Sequence, residues 1–232
     1  MNAAVVIATY NERDNLPGLA SAILENAGFR IVVVDDDSPD GTGEVADQLS
    51  SKFPGRVSVI HRKAARGLGR SLVAGLKHAL SEGAELIFQM DADFSHDPKY
   101  LPAMTEAASE ADLVLGSRYL RGVSVVNWPL HRIILSSVAN EYIRAVTGLA
   151  EKDCTTGFRC WRREALAKIP LDSLISDGYA FLVEQLYLAH QAGCRVREVP
   201  IIFVERREGA SKVSSKVLFE SLVVPWRLRL KR

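Results

Sequence analysis

What most constrains this chain is a repeated alternation of short apolar runs, rich in Val, Ile and Leu, with segments of helical spacing. The runs AAVVIAT, RIVVVD, VSVIH, ELIFQM and DLVLGS fit strands buried on both faces. Between them, apolar residues recur at three- and four-residue spacing over 14–27, 43–52, 68–81 and 97–108, which predicts helices. Asp14, Asp40 and Asp97-Pro98 supply side-chain acceptors or a preset φ at helix starts, and Gly28 and Gly83 stand where helices stop. This alternation predicts an α/β fold with a largely parallel central sheet flanked by helices. Beyond Gly116 the rhythm changes to a loop over 121–128, a long helix over 129–146, a polar loop, a helix near 181–192 and the apolar strand VREVPIIFVE. With no internal repeat or low-complexity linker, one domain is expected over 1–212. Its first half, 1–116, holds one ligand, and its second, 117–212, completes the site.

Composition narrows the function. The 232 residues, 47% hydrophobic and 25% charged, have the balance of a globular protein. Basic residues number 29 against 28 acidic ones, so no global positive charge points to nucleic acid as a partner. Cys154, Cys160 and Cys194 form no C-x-x-C pair and are odd in number, as expected of reduced thiols in the cytoplasm. VVIAT near the start is too short for a signal peptide, and no uncharged run approaches the ~20 residues that span a bilayer. Any work on lipid is therefore expected at the cytoplasmic face of a membrane, from a peripheral protein. The segment 213–232 mixes Leu222, Val223, Trp226, Leu228 and Leu230 with Arg227, Arg229, Lys231 and Arg232. This basic amphipathic pattern suits either a membrane surface or docking on the protein's own core. Pro225 is expected to interrupt a helix there.

In open α/β sheets ligands bind beyond the carboxyl ends of the strands. There the first run gives way to Tyr10-Asn11-Glu12, the second to Asp35-Asp36-Asp37-Ser38-Pro39-Asp40-Gly41-Thr42, and the fourth to Asp91-Ala92-Asp93. Neighbouring carboxylates repel one another until a cation, donor groups or water relieves them. Mg2+ or Mn2+, bridging one or two carboxylates to substrate phosphates, would do so. Asp91 and Asp93 are the candidate ligands, although Asp-x-Asp by itself also serves as a helix cap. Asp36 suits a ribose or base, Tyr10 suits base stacking or rim packing, and Asp40-Gly41 shapes a turn. The absence of G-x-G-x-x-G after the first run, and of G-x-x-x-x-G-K-[ST] anywhere, argues against dinucleotide dehydrogenases and P-loop enzymes. Arg118 follows the fifth run, and Arg132 and Ser136 lie one turn apart on the long helix. Together they offer three donors to an anion such as a phosphate monoester, with surface salt bridging the plainer alternative for Arg132. Arg206 and Lys212 flank Gly209-Ala210-Ser211, either a loop suited to cover a diphosphate or a solvated turn.

In order along the chain, TYNERDNLP, VVVDDDSPDGT, RGLGRSLVAG, QMDADFSHDP, GSRY and GASK resemble the dolichyl-phosphate (polyprenyl-phosphate) mannosyltransferases of glycosyltransferase family 2. The likeness runs from about Val5 to Lys212. It implies a GT-A fold and inverting transfer of mannose from GDP-mannose to dolichyl or polyprenyl phosphate, with Mg2+ or Mn2+ at Asp91 and Asp93. It puts Ala8, Tyr10, Glu12, Val34, Asp36, Asp91, Ala92, Asp93, Arg118, Arg206 and Lys212 at donor-contacting positions. Arg118, Arg132 and Ser136 fall around the acceptor phosphate, and with Asp93 they would carry the chemistry. The family usually has proline where this chain has Ala8, and glycine where it has Asp37; the second change sets an extra carboxylate beside the nucleotide pocket. A uridine donor carrying glucose, a saccharide acceptor with Asp37 or Glu184 as base, and a non-catalytic nucleotide-sugar-binding subunit are the competing readings. Asp153-Cys154-Thr155-Thr156-Gly157-Phe158-Arg159 is expected to form a tight loop near the sugar, and Glu184 to be either a buried acidic support or half of an ion pair closing a helix on the sheet.

Overall fold

Each of the five apolar runs forms a strand. The computed structural model describes residues 2–63, 66–174, 176, 178–205 and 215–230. The first half alternates β1 (Ala3–Thr9), α1 (Leu16–Leu24), β2 (Phe29–Asp35), α2 (Thr42–Lys52), β3 (Val57–His61), α3 (Leu68–Ser81), β4 (Leu86–Met90), α4 (Leu101–Ala107) and β5 (Leu113–Ser117). The second half comprises β6 (Val125–Val126), α5 (Leu130–Thr147), β7 (Arg159–Arg162), α6 (Arg163–Leu166), α7 (Gly178–Gln191), β8 (Val196–Pro200), β9 (Phe203–Val204) and α8 (Ser215–Leu230). The main sheet has the order β3-β2-β1-β4-β7-β5-β8, parallel throughout except at β7, which is antiparallel to both neighbours.

Strand periodicity divides the core into two layers. Val6 and Val34 face Leu72 and Leu76 of α3 and, further along the same layer, Phe181 and Leu186 of α7. Val5, Ile7 and Val33 face the other way, toward Leu19 and Ile23 of α1 and Met104 of α4. Gly75 lets α3 approach closely, since a Cβ there would fall inside contact distance of Val6 Cγ1 and 2.9 Å from Val34 Cγ2.

Three local expectations are corrected. The loop beginning at Asp153 ends before Arg159, which starts β7 and is wholly buried. Its guanidinium donates to the Thr156 carbonyl (2.9 Å), Gln185 Oε1 (3.0 Å) and the Cys154 carbonyl (3.2 Å), so a charge that suggests a loop is solvated by the protein. Burial still pulls its pKa down to about 10. Pro225 does not break α8. Val224 and Leu228 are buried in the core layer shared with α5 and α7, and the Tyr142 hydroxyl donates to the Leu222 carbonyl (2.7 Å) in the turn the proline disturbs. Finally, α1 starts after Asn15 without a side-chain cap, so Asp14 supplies none, whereas Asp97 accepts the Lys99 N–H as expected of a cap.

Candidate active site

Parallel pairing brings the carboxyl ends of β2, β1 and β4 side by side, and the predicted donor residues with them. Ala8 and Val34 are register partners. The chain then continues into Tyr10 and Asp36, with the Asp36 N–H on the Thr9 carbonyl at 3.1 Å. Of the three consecutive aspartates, Asp35 shapes the turn, accepting from the Thr9 hydroxyl (3.0 Å) and from the Ser38 hydroxyl and N–H (2.6 and 3.0 Å). Asp36 is buried, ion-paired to Arg62, and accepts the Gly67 N–H at 3.0 Å. Asp37 lies exposed at φ 56°, a left-handed conformation that accounts for the glycine usual there in the resembling family. Arg66 lies over the Tyr10 ring at 4.6 Å and donates to its hydroxyl at 2.7 Å. Glu12 is fixed by the Asn15 amide (2.9 Å), and its N–H donates to the Thr42 hydroxyl at 2.9 Å.

At the end of β4, Asp93 is buried and takes the Ser95 N–H (3.1 Å), while the Asp91 side chain is 44% exposed. Buried His96 accepts the Asp91 N–H on Nδ1 (3.0 Å) and stacks on Phe158 (5.0 Å between ring centres). Burial lowers its pKa against the pull of both aspartates, which keeps the imidazole neutral at physiological pH. Among the described residues no three His, Cys, Asp or Glu side chains gather around a possible metal position. The protein thus offers Asp91 and Asp93, hard oxygen donors of the number Mg2+ or Mn2+ takes when phosphates and water complete its shell, so the residues fit such an ion.

A chain of rings leads from this rim to the second cluster. His96 meets Phe203 edge-on (5.5 Å), Phe203 meets Trp128 (5.3 Å), and the Arg132 guanidinium lies over Trp128 at 4.2 Å. Arg132 is ion-paired to Glu205, and Ser136 accepts from the Tyr119 hydroxyl at 2.7 Å. Arg118 is buried in a bidentate pair with Asp153, its Nε on Oδ2 (2.7 Å) and its Nη2 on Oδ1 (2.6 Å); Nη2 also reaches the Thr155 hydroxyl (2.8 Å). Its Nη1 makes no hydrogen bond among the described residues. Burial opposes both charges, yet each partner more than offsets this: the Arg118 pKa is raised and that of Asp153 lowered. The Trp128 Nε1–H is buried without a hydrogen-bond partner among the described residues.

The structure therefore gathers Ala8, Tyr10, Val34 and Asp36 at one part of the rim, sets Asp91, Ala92 and Asp93 next to them, and groups Arg118, Arg132 and Ser136 beyond the rings. Arg206 and Lys212 lie outside the described residues. Glu184 is buried and accepts the Ser176 N–H at 3.2 Å. Sequence reasoning missed His96, Tyr119, Glu205 and the pairing of Asp153 with Arg118. One signal was available for the last: Asp153 stands just before the uncharged run CTTGF, where a carboxylate that becomes buried requires a cation.

The sheet, largely parallel with one antiparallel strand inserted between the acidic rim and the arginine cluster, is of the GT-A type. The family model described as Glycosyl transferase family 2 matches residues 4–170, and the chain belongs to that family. It is 43% identical over 229 residues to a polyprenol monophosphomannose synthase of Mycolicibacterium smegmatis, covering 97% of this chain and 86% of that one. It is 41% identical to an undecaprenyl-phosphate mannosyltransferase of Micrococcus luteus, covering 96% and 92%. A dolichol-phosphate mannosyltransferase of Pyrococcus furiosus is 38% identical, covering 98% of this chain and 64% of that one. Among solved structures, glucosyl-3-phosphoglycerate synthase of Mycobacterium tuberculosis, in complex with Mn2+, UDP-glucose and phosphoglyceric acid, shares the fold. Its TM-score is 0.67 at 17% identity, covering 97% of this chain and 79% of that one.

Proposed function

We propose that the chain transfers a mannosyl group from GDP-mannose to the phosphate of a polyprenol, with inversion, as a peripheral protein at the cytoplasmic face of a membrane. The observation that carries this reading is an anion-binding cluster of two arginines next to a helix that exposes apolar side chains. Arg118 and Arg132 both lie over the Trp128 ring, whose buried Nε1–H has no hydrogen-bond partner among the described residues, and α5, the helix that carries Arg132, exposes Leu130, Ile134, Leu135 and Val138 along its outer side. A polyprenyl phosphate, an anion joined to hydrocarbon, complements both features, and a buried donor without a partner among the described residues suits a ligand that brings an acceptor. The three relatives above are named for mannose and for polyprenol, undecaprenyl phosphate or dolichol phosphate, which supports the same acceptor class and the same sugar. No helix among the described residues is long and apolar enough to cross a membrane. The outer face of α8, with Leu222, Val223, Trp226 and Leu230 exposed beside Arg229, suits an interfacial position.

A phosphate monoester has its second pKa at about 6, so at neutral pH its oxygen is largely ionised and needs no general base. Arg118, locked along its Asp153 edge, presents Nη1; Arg132 is held flat by Trp128. Between them they aim the nucleophilic oxygen at the anomeric carbon, with Ser136 adding a hydroxyl. Asp36 and Tyr10 flank the nucleoside. Asp91 and Asp93 are the residues that would hold a divalent ion, which would supply charge neutralisation for the departing diphosphate. By resemblance, Arg206 and Lys212 add to that neutralisation. A single in-line displacement on an α-linked donor yields a β-mannosyl phosphate.

The test is incubation with labelled GDP-mannose or UDP-glucose, metal and short-chain polyprenyl phosphates. Organic-extractable label from GDP-mannose is expected. Label from UDP-glucose alone, or none from either donor, overturns the reading.

A further inference from the structure

We infer that Glu205 is a built-in stand-in for the acceptor's anion, an internal competitor that the incoming phosphate must displace from Arg132. This rests on the proposed role of Arg132 as a ligand of the acceptor phosphate. Arg132 and Glu205 are ion-paired, and each side chain is 23% exposed, so the pair sits at the mouth of the cluster. The Glu205 backbone is fixed by its N–H to the Val126 carbonyl at 3.1 Å, continuing the pairing of β6 with β9. A carboxylate tethered in this way competes at a high effective concentration, which an untethered ligand has to overcome.

A carboxylate beside a binding-site arginine can instead serve to orient it, and two observations argue against that role here. The Arg132 guanidinium lies over the Trp128 ring at 4.2 Å, and that ring is itself braced edge-on by Phe203 at 5.3 Å. The plane of the arginine is therefore set by aromatic contacts that do not involve Glu205. Arg118, by contrast, has an orienting carboxylate of its own: Asp153 is wholly buried and takes three donors from Arg118 alone. The two arginines are thus served differently, one by a buried, fully engaged carboxylate and the other by a partly exposed one that can turn to water. A dianionic phosphate outcompetes a single carboxylate for such a site, whereas a neutral sugar hydroxyl has no charge with which to displace it. Glu205 then disfavours uncharged acceptors at the expense of some affinity for the correct one.

The experiment measures initial rates against a short-chain polyprenyl phosphate at saturating GDP-mannose and metal. It compares the full chain with Glu205→Gln, Glu205→Ala and Arg132→Ala, each checked for a native thermal transition. The expected result is a fall of about two- to fivefold in acceptor KM for both Glu205 variants, the size fitting a partly exposed ion pair, with no change in donor KM. An unchanged or raised acceptor KM in both variants overturns the inference and would make Glu205 a bystander or an orienting group. Arg132→Ala separates the two levels. A raised acceptor KM there leaves the acceptor-site reading standing whatever Glu205 does, and a wild-type acceptor KM removes that reading and this inference together.

Discussion

Neutralising Asp153 tests how far the second half of the chain depends on one buried ion pair. The carboxylate accepts the Arg118 backbone N–H at 2.9 Å, Nε at 2.7 Å and Nη2 at 2.6 Å, and both side chains are almost wholly buried. In Asp153→Asn one oxygen remains to accept, and an amide NH2 faces the guanidinium in place of the other. Removing one partner of a buried pair costs about 3–5 kcal/mol, and the retained acceptor returns about 1 kcal/mol, leaving a loss of about 2–4 kcal/mol. At a urea slope of about 3 kcal/mol/M, the unfolding midpoint falls by about 1 M. Circular dichroism in urea reads this directly, and Arg118→Gln with the double variant completes a cycle in which the coupling energy exceeds about 2 kcal/mol. The Asp153 pKa is lowered in the fold, so the pair's contribution is present above the unfolded carboxylate pKa of ~3.9 and is lost as pH falls through the folded value. Wild type and variant therefore converge in acid. A midpoint shift below about 0.3 M at neutral pH, or strictly additive single variants, would refute the reasoning.

Three further outcomes follow from features of the fold. Asp91→Ala and Asp93→Ala should each lower transfer by about 100-fold or more in saturating Mg2+ or Mn2+, measured as organic-extractable product, because charge on the leaving diphosphate loses its counter-ion. Gly75→Ala should destabilise by about 1–3 kcal/mol in thermal melts, since a methyl there meets Val6 and Val34 across a close helix–sheet contact. The His190 pKa is raised chiefly by its hydrogen bond to Glu151 (2.9 Å), so the stability this pair adds is fully present below the unfolded histidine value of ~6.5 and fades as pH rises through the folded one. Glu151→Gln should flatten that part of a stability–pH profile.

Most of the sheet was legible because its strands are apolar on both faces, so AAVVIAT and DLVLGS have few alternatives to a buried parallel position. RCWR was not legible. Its first arginine is solvated by the Thr156 and Cys154 carbonyls and by Gln185, groups that only the finished fold assembles around it. The same distinction holds at the rim. Asp91 and Asp93 are chain neighbours at a strand end, so spacing alone brings them together. Arg118 meets Asp153 across 35 positions and Arg132 meets Glu205 across 73, and no local pattern encodes a contact between residues so far apart. Pro225 misled for a related reason: the anchorage of Val224 and Leu228 outweighs a proline penalty that would prevail in an isolated helix.

The reversed direction of β7 has a consequence for how such an enzyme changes its partners. The chain leaves the sheet after Ser117 and returns at Arg159 on the adjoining strand, where Leu115 and Arg159 are register partners and the Gly116 N–H meets the Phe158 carbonyl at 2.8 Å. Everything between, including α5 with its arginine and its greasy face, is one excursion whose two ends lie a strand spacing of about 5 Å apart. A detour that starts and finishes at the same spot can be lengthened, shortened or exchanged at little entropic penalty to closure. On the proposed function, the donor platform formed by β1, β2 and β4 lies outside that detour, so recipients can diversify while the platform stays as it is.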